Sequence, residues 1–286
     1  MKVVIVGGVA GGATAAARIR RLDEQAEIVV FERSGFISYA NCGLPYYIGG
    51  VIEDPEELTL QTPESFFSRF RVNMKVRHEV TAIHPEKKEV TVKNLETGEE
   101  FEESYDKLIL SPGAKPTQPR FPVADLDKVF TLRTVEDTLR IKEYINESHP
   151  KSAVLVGGGF IGLELADNLR ELGMDVTVVE YAKQLMTPFD SDMAAFIHNE
   201  MRKHGVKLVL GRAVEGLEEA DGGVDVLLKD EQPLRADMVI LAIGVSPETT
   251  LAKDAGLELG IKGSIVVMTE WKPPFPTSMP WAMRCR

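Results

Sequence analysis

The feature that most constrains this chain is a motif written twice. "KVVIVGGVAGGATAAARIRRLDEQAEIVVFER" starts at Lys2, and "KSAVLVGGGFIGLELADNLRELGMDVTVVEY" starts at Lys151. Each passes from a β-branched run through a glycine-rich turn to an alanine- and leucine-rich helix pattern, then to a second β-branched run with a glutamate at its end. That order is a βαβ unit, the building block of a helix-covered parallel sheet. In the second copy Gly157, Gly159 and Gly162 fit G-x-G-x-x-G. There the glycines make the tight turn, let a pyrophosphate approach the backbone, and let helix and strand pack closely. Glu180 lies about 20 residues on, the spacing of the acid that bonds an adenosine ribose, and a carboxylate there repels a 2′-phosphate. NADH is therefore favoured over NADPH. The first copy has Gly7 and Gly12 at the outer positions, Val9 at the middle one, and Glu32 as its acid. Two nucleotide sites imply one cofactor that stays and one that visits.

Between the copies, alternation over Val76 to Ile83 and Val90 to Lys93, with a turn at Glu96 to Gly98, predicts a small antiparallel meander. "YDKLILSPGAKP" predicts a buried strand ending in a Pro-Gly turn near Ser111 to Gly113. The prolines from Pro112 to Pro122 mark the exit from a first domain, and a hairpin is expected near Asp221 to Gly223. The expected domains are 1–115, carrying the first nucleotide site and the inserted meander; 116–246, carrying the second; and 247–267, a partial return to the first. The fold class is α/β, with two Rossmann-like dinucleotide-binding domains. A net charge of -11 argues against nucleic acid or an anionic membrane as the main partner. Two cysteines, Cys42 and Cys285, make no disulfide framework, and the apolar runs are too short to span a bilayer. A cytoplasmic protein acting on small molecules is the expectation.

Cys42 stands in "SYANCGLPYYIGG". This stretch resembles the S-F-x-x-C motif of coenzyme A disulfide reductases and related persulfide or polysulfide reductases, with Tyr39 in place of phenylalanine. The whole chain resembles the pyridine nucleotide-disulfide oxidoreductase family, as "YDKLILSPGA" and "FTLRTVEDT" (Phe130 to Thr138) also do. The resemblance implies the glutathione-reductase-like fold, with FAD in the first site and NADH (or NADPH) in the second. It makes Cys42 the catalytic residue, forming a mixed disulfide with coenzyme A or a persulfide. Relatives with an internal disulfide carry C-x-x-x-x-C, but Tyr47 occupies the partner's place. A helix over "GLPYYIGG" would put the sulfur near a helix N-terminus, which favours negative charge, and the thiolate is the attacking form.

The remaining site residues are expectations of the same resemblance. Arg33, Ser111, Gly113 and Arg133 join the cofactor contacts, and Glu164 is the acid beside the nicotinamide. Ser38, Asn41, Thr14, Arg18 and Arg21 contact the thiol substrate, although related enzymes carry glutamine in place of Arg18. Arg69 and Arg71 either meet the coenzyme A 3′-phosphate or form a surface pair. The five histidines lack metal-ligand spacing and are expected at the surface, with no metal bound. Two alternatives are a water-forming NADH oxidase of the same family, with Cys42 cycling through a sulfenic acid, and a nonenzymatic nucleotide-binding remnant.

The resemblance is expected to end at Val267. The stretch "MTEWKPPFPTSMPWAMRCR" lacks the family's T-S-x-P-x-I-Y-A-x-G-D motif, whose aspartate holds the flavin ribitol. Plausible codons for it, shifted by one base, read N-D-R-M-E-T-S-V-P-D-I-Y-A-V-G-D-A. The expectation is that residues 268–286 are an out-of-frame tail in place of that motif and of the dimerisation domain of homodimeric relatives. The chain would then be monomeric and impaired in holding FAD.

Overall fold

The computed structural model describes residues 1–124 and 126–268. The chain forms two compact units. Unit 1 comprises Met1–Ala40, Thr59–Lys115 and the described residues from Ser246 to Met268, and unit 2 comprises Asn41–Leu58 and Pro116–Val245. The first expected domain, 1–115, is thus interrupted. Asn41–Leu58 group with unit 2 because their helix packs on helices of that unit, a contact that no local pattern announces.

In chain order the first elements are β1 (Lys2–Val6), α1 (Ala10–Leu22), β2 (Glu27–Phe31), α2 (Leu44–Gly49), α3 (Pro63–Phe70), β3 (Asn73–Lys75), β4 (His78–His84), β5 (Glu89–Asn94), β6 (Glu100–Ser104), β7 (Lys107–Leu110) and β8 (Ala114–Pro116). Unit 1 is built on a parallel sheet in the order β3-β2-β1-β7. Alternate residues of its strands feed two cores. Ile5, Ile28, Val30 and Ile109 face the alanines Ala13, Ala15 and Ala16 of α1. Val4, Val29, Phe31 and Leu108 face Val80, Val90 and Val92 of the meander β4-β5-β6. Burial on both faces explains why these strands are continuously apolar.

The chain continues with β9 (Val129–Thr131), α4 (Val135–Ser148), β10 (Ser152–Val156), α5 (Phe160–Glu171), β11 (Asp175–Glu180), α6 (Ser191–Lys203), β12 (Lys207–Leu210), β13 (Val214–Ala220), β14 (Gly223–Leu228), β15 (Leu234–Ala236), β16 (Met238–Leu241) and α7 (Thr250–Asp254). Unit 2 has the parallel order β12-β11-β10-β16-β9 and a meander of its own, β13-β14-β15. The hairpin expected near Asp221 to Gly223 is the first turn of that meander, with Gly222 at φ +80°. Its Leu217, Val224 and Val226 cover Val154, Val179 and Val239.

Each parallel sheet has one strand flanked by partners that run off in opposite directions: β1 between β2 and β7, and β10 between β11 and β16. The carboxyl end of such a strand is where open α/β sheets bind ligands. Both glycine turns leave from those ends.

Candidate active site

At the first turn, Gly7 has φ +95°, and a Cβ there would lie 2.1 Å from Ser111 O; one on Gly12 would lie 1.7 Å from Gly7 O. Side chains are excluded at both positions, so strand, turn and helix close on one another. Glu32 accepts the Gly8 N–H at 2.7 Å through one oxygen and the Ser34 N–H at 2.8 Å through the other. Val9 is the N-cap of α1 and gives it no side-chain cap. The first amides of the helix therefore keep no side-chain acceptor, and they are the groups that hold a phosphate. Beside the turn, Ser111 Oγ is buried without a hydrogen-bond partner. A polar ligand in this cradle would satisfy it. These features fit a dinucleotide.

The second turn repeats the device. Gly157 has φ +115°, and a Cβ on Gly162 would lie 2.1 Å from Gly157 O. Gly159 caps α5 without a side-chain bond, and a Cβ on it would meet nothing within 4 Å. That open space is where a pyrophosphate would pass. Glu180 accepts the Gly158 N–H and the Ala182 N–H, both at 2.7 Å. Capping boxes close α3 and α4, Thr62 with Ser65 and Thr134 with Asp137, whereas α2, α6 and α7 lack a side-chain cap as α1 and α5 do. The uncapped starts of α1 and α5 fall at the two glycine turns. Glu164, in the second turn of α5, is half-buried, and that burial raises its carboxyl above the usual range.

Cys42 lies in a short 3-10 turn, Asn41–Gly43, directly before α2, and is exposed. The helix expected over "GLPYYIGG" is α2. It packs on α4 and α5, where Gly49 is so close to buried Asn168 that an added Cβ would lie 2.0 Å from Asn168 Oδ1. The Lys142 ammonium of α4 donates to Ile48 O at 2.9 Å and so covers a carbonyl at the end of α2. Burial lowers the pKa of that amine. Asn41 Oδ1 accepts from Arg133 Nη1 at 3.0 Å, which pairs an expected substrate residue with an expected cofactor residue inside unit 2.

The other expected residues fall into place unevenly. Ser38 has φ +46° and donates its N–H to Gly8 O at 3.1 Å, so it borders the first turn. Thr14, Arg18 and Arg21 form one exposed stripe of α1. Arg33 is exposed and pairs with Glu79 at 3.7 Å. Gly113, at φ +74°, accepts the Glu248 N–H through its carbonyl. Arg69 stacks on Phe70, and Arg71 is the left-handed C-cap of α3, so each has a structural role. His78, His84 and His198 depart from their expected surface positions, each being half-buried, and His198 accepts the Leu185 N–H at 3.0 Å. Among the described residues no helix is long and apolar enough to cross a membrane, and no cluster of metal-ligating side chains occurs. The out-of-frame tail expected over 268–286, Cys285 included, lies outside the described residues apart from Met268.

Comparison with known proteins adds names to this geometry. A family model described as pyridine nucleotide-disulphide oxidoreductase matches residues 1–276. The match runs past Val267, where the resemblance was expected to end. A coenzyme A disulfide reductase of Staphylococcus aureus (strain JH9) is 38% identical over 275 residues, which is 96% of this chain and 61% of that protein. Reduced CoADR-RHD of Bacillus anthracis matches with a TM-score of 0.93 at 50% identity, over 98% of this chain and 50% of that one. An NAD-dependent persulfide reductase from A. fulgidus matches with a TM-score of 0.93 at 33% identity, over 99% and 52%. The chain thus spans about three fifths of the length of the curated relatives it matches.

Proposed function

The chain belongs to the pyridine nucleotide-disulphide oxidoreductase family, and from that premise we propose an FAD-dependent oxidoreductase that carries electrons from NADH to Cys42 and reduces coenzyme A disulfide or a persulfide. Unit 1 is the FAD domain and unit 2 the NADH domain. The observation that carries this reading is the pairing of two uncapped glycine-turn helices with an exposed thiol.

In unit 1, Gly7, Val9 and Gly12 bring the α1 amides to the FAD pyrophosphate, Glu32 and Arg33 lie toward the ribose, and Ser111 and Gly113 border the cofactor. In unit 2, Gly157, Gly159 and Gly162 receive the NADH pyrophosphate, Glu180 takes the adenosine ribose, and Glu164 stands toward the nicotinamide. Bound FAD supplies the relay by which an electron pair passes from NADH to sulfur. Cys42 attacks one sulfur of the substrate disulfide and forms a mixed disulfide, releasing the other half as thiolate. Reduction of that mixed disulfide restores Cys42 and frees the second thiol. Over the cycle one NADH and one proton convert one disulfide to two thiols. In unit 2, Asn41, held by Arg133, borders the thiol; in unit 1, Ser38 and the exposed Thr14, Arg18 and Arg21 stripe are the residues offered to coenzyme A.

The test is the spectrum of the purified chain with added FAD, followed anaerobically by NADH and then coenzyme A disulfide. The expected result is flavin absorbance, bleaching by NADH, and thiol release that Cys42→Ser abolishes without abolishing bleaching. Oxygen uptake in place of thiol release selects the NADH oxidase alternative. No flavin uptake at all overturns the proposal.

A further inference from the structure

The segment 181–189, between β11 and α6, lies over the second glycine turn. Leu185 is fully buried, and its Cδ2 would be 2.4 Å from a Cβ on Gly158. The Met186 N–H donates to Gly158 O at 2.9 Å, while the Gly158 N–H is held by Glu180. Two side chains outside the segment take part: Glu180 of β11, which accepts the Ala182 N–H at 2.7 Å, and His198 of α6, whose Nε2 accepts the Leu185 N–H at 3.0 Å. An imidazole nitrogen accepts only when it carries no proton, so this bond requires neutral His198 with its proton on Nδ1. Unit 1 offers the control. There Ser38 donates to Gly8 O in the place of Met186, Ile37 lies against Gly8 in the place of Leu185, and the segment is tied by the Leu60 N–H to Ser38 O, which does not titrate.

We propose that His198 is a positioning residue of the second nucleotide site. By accepting the Leu185 N–H it holds segment 181–189 down on Gly158, so that the site binds NADH well with neutral imidazole and poorly with imidazolium. The proposal rests on the reading of unit 2 as the NADH domain.

The surroundings agree in sign. Burial lowers the His198 pKa first, and Arg202, one turn further along α6, lowers it second. From the segment the Leu185 amide faces the ring; Lys183 of the segment and Asp190 and Asp192 at the start of α6 are exposed. Glu200 is engaged by Lys203 and His204. Docking is therefore complete above the ordinary histidine value of about 6.5 and is lost as pH falls through the depressed one.

The experiment follows NADH fluorescence on titration into the purified full chain from about pH 8 to about pH 5.5 at constant ionic strength, beside the Leu185 amide resonance by NMR. The expected result is a Kd that rises roughly fivefold or more toward low pH, with a midpoint below about 6.5 in the Leu185 resonance. His198→Gln, whose amide oxygen accepts at every pH, is expected to bind as the wild type does near pH 8 and to stay level. His198→Ala binds weakly throughout. A level wild-type curve, or the same rise in His198→Gln, overturns the proposal. Absence of NADH binding near pH 8 overturns the reading of unit 2 and with it the positioning role, while the Leu185 resonance still decides whether the histidine bond titrates.

Discussion

In unit 1 the acid that follows the glycine turn, Glu32, is 8% exposed, whereas in unit 2 Glu180 makes the matching pair of backbone bonds while standing partly in solvent. The segments behind the acids differ as well. Both are held by backbone bonds, and the one in unit 2 by a histidine as well. Both carboxylates keep two backbone partners without a ligand, so the contrast is one of solvent access. The more closed first site suits a ligand that stays, and the more open second one a ligand that arrives and departs, as proposed for NADH.

The comparison can be broken most decisively at the glycines. Gly12→Ala would place a Cβ 1.7 Å from Gly7 O, and Gly162→Ala one 2.1 Å from Gly157 O. Overpacking of this kind costs about 1–3 kcal/mol or more. The first is expected to abolish flavin retention, and the second to abolish NADH binding while flavin absorbance is kept. Loss of both ligands in either variant would mean that the two sites are not separable.

A smaller effect probes unit 2 alone. Gly49→Ala collides with Asn168, and a cost of about 1–3 kcal/mol lowers Tm by several degrees. Adding Asn168→Ala should restore part of that loss in calorimetry, because the colliding amide is gone. Smaller again is exchange of the acids. Glu180→Gln removes charge from hydrogen bonds that contribute about 1.5–3 kcal/mol, so NADH binding weakens about tenfold and discrimination against NADPH narrows. Glu32→Gln should weaken FAD retention by a larger factor, since that carboxylate is buried, and parallel titrations of the two variants read the difference.

The smallest effect concerns corresponding positions on the two helices, Thr14 on α1 and Glu164 on α5. Because burial raises the Glu164 carboxyl, its charged form opposes folding at neutral pH, and the penalty fades as pH falls through the raised value. Glu164→Gln is expected to raise Tm slightly at neutral pH and to match the wild type in acid. Thr14→Val should show no such pH dependence.

Both turns and both acids were legible because their chemistry is local: a few glycines, a helix start and a carboxylate within one βαβ unit. The meander of unit 1 was legible from its alternation, while that of unit 2 showed only its hairpin. The role of His198 was not legible, because it joins a helix to an irregular segment whose backbone has no period. Nor did any pattern announce that Asn41–Leu58 would group with unit 2. That follows from Gly49 meeting Asn168 and Lys142 reaching Ile48 O, pairings distant along the chain. Arg33 illustrates the same limit: its exposed pairing with Glu79 of the meander is a contact that the residues around it in sequence do not announce.

The packing of α2 on α4 and α5 also sets an order of events during synthesis. Its partners leave the ribosome long after it does, and at ~5–20 residues per second the wait is on the order of ten seconds. Throughout that interval the nascent thiol has no finished surroundings and meets whatever oxidants or small thiols are near.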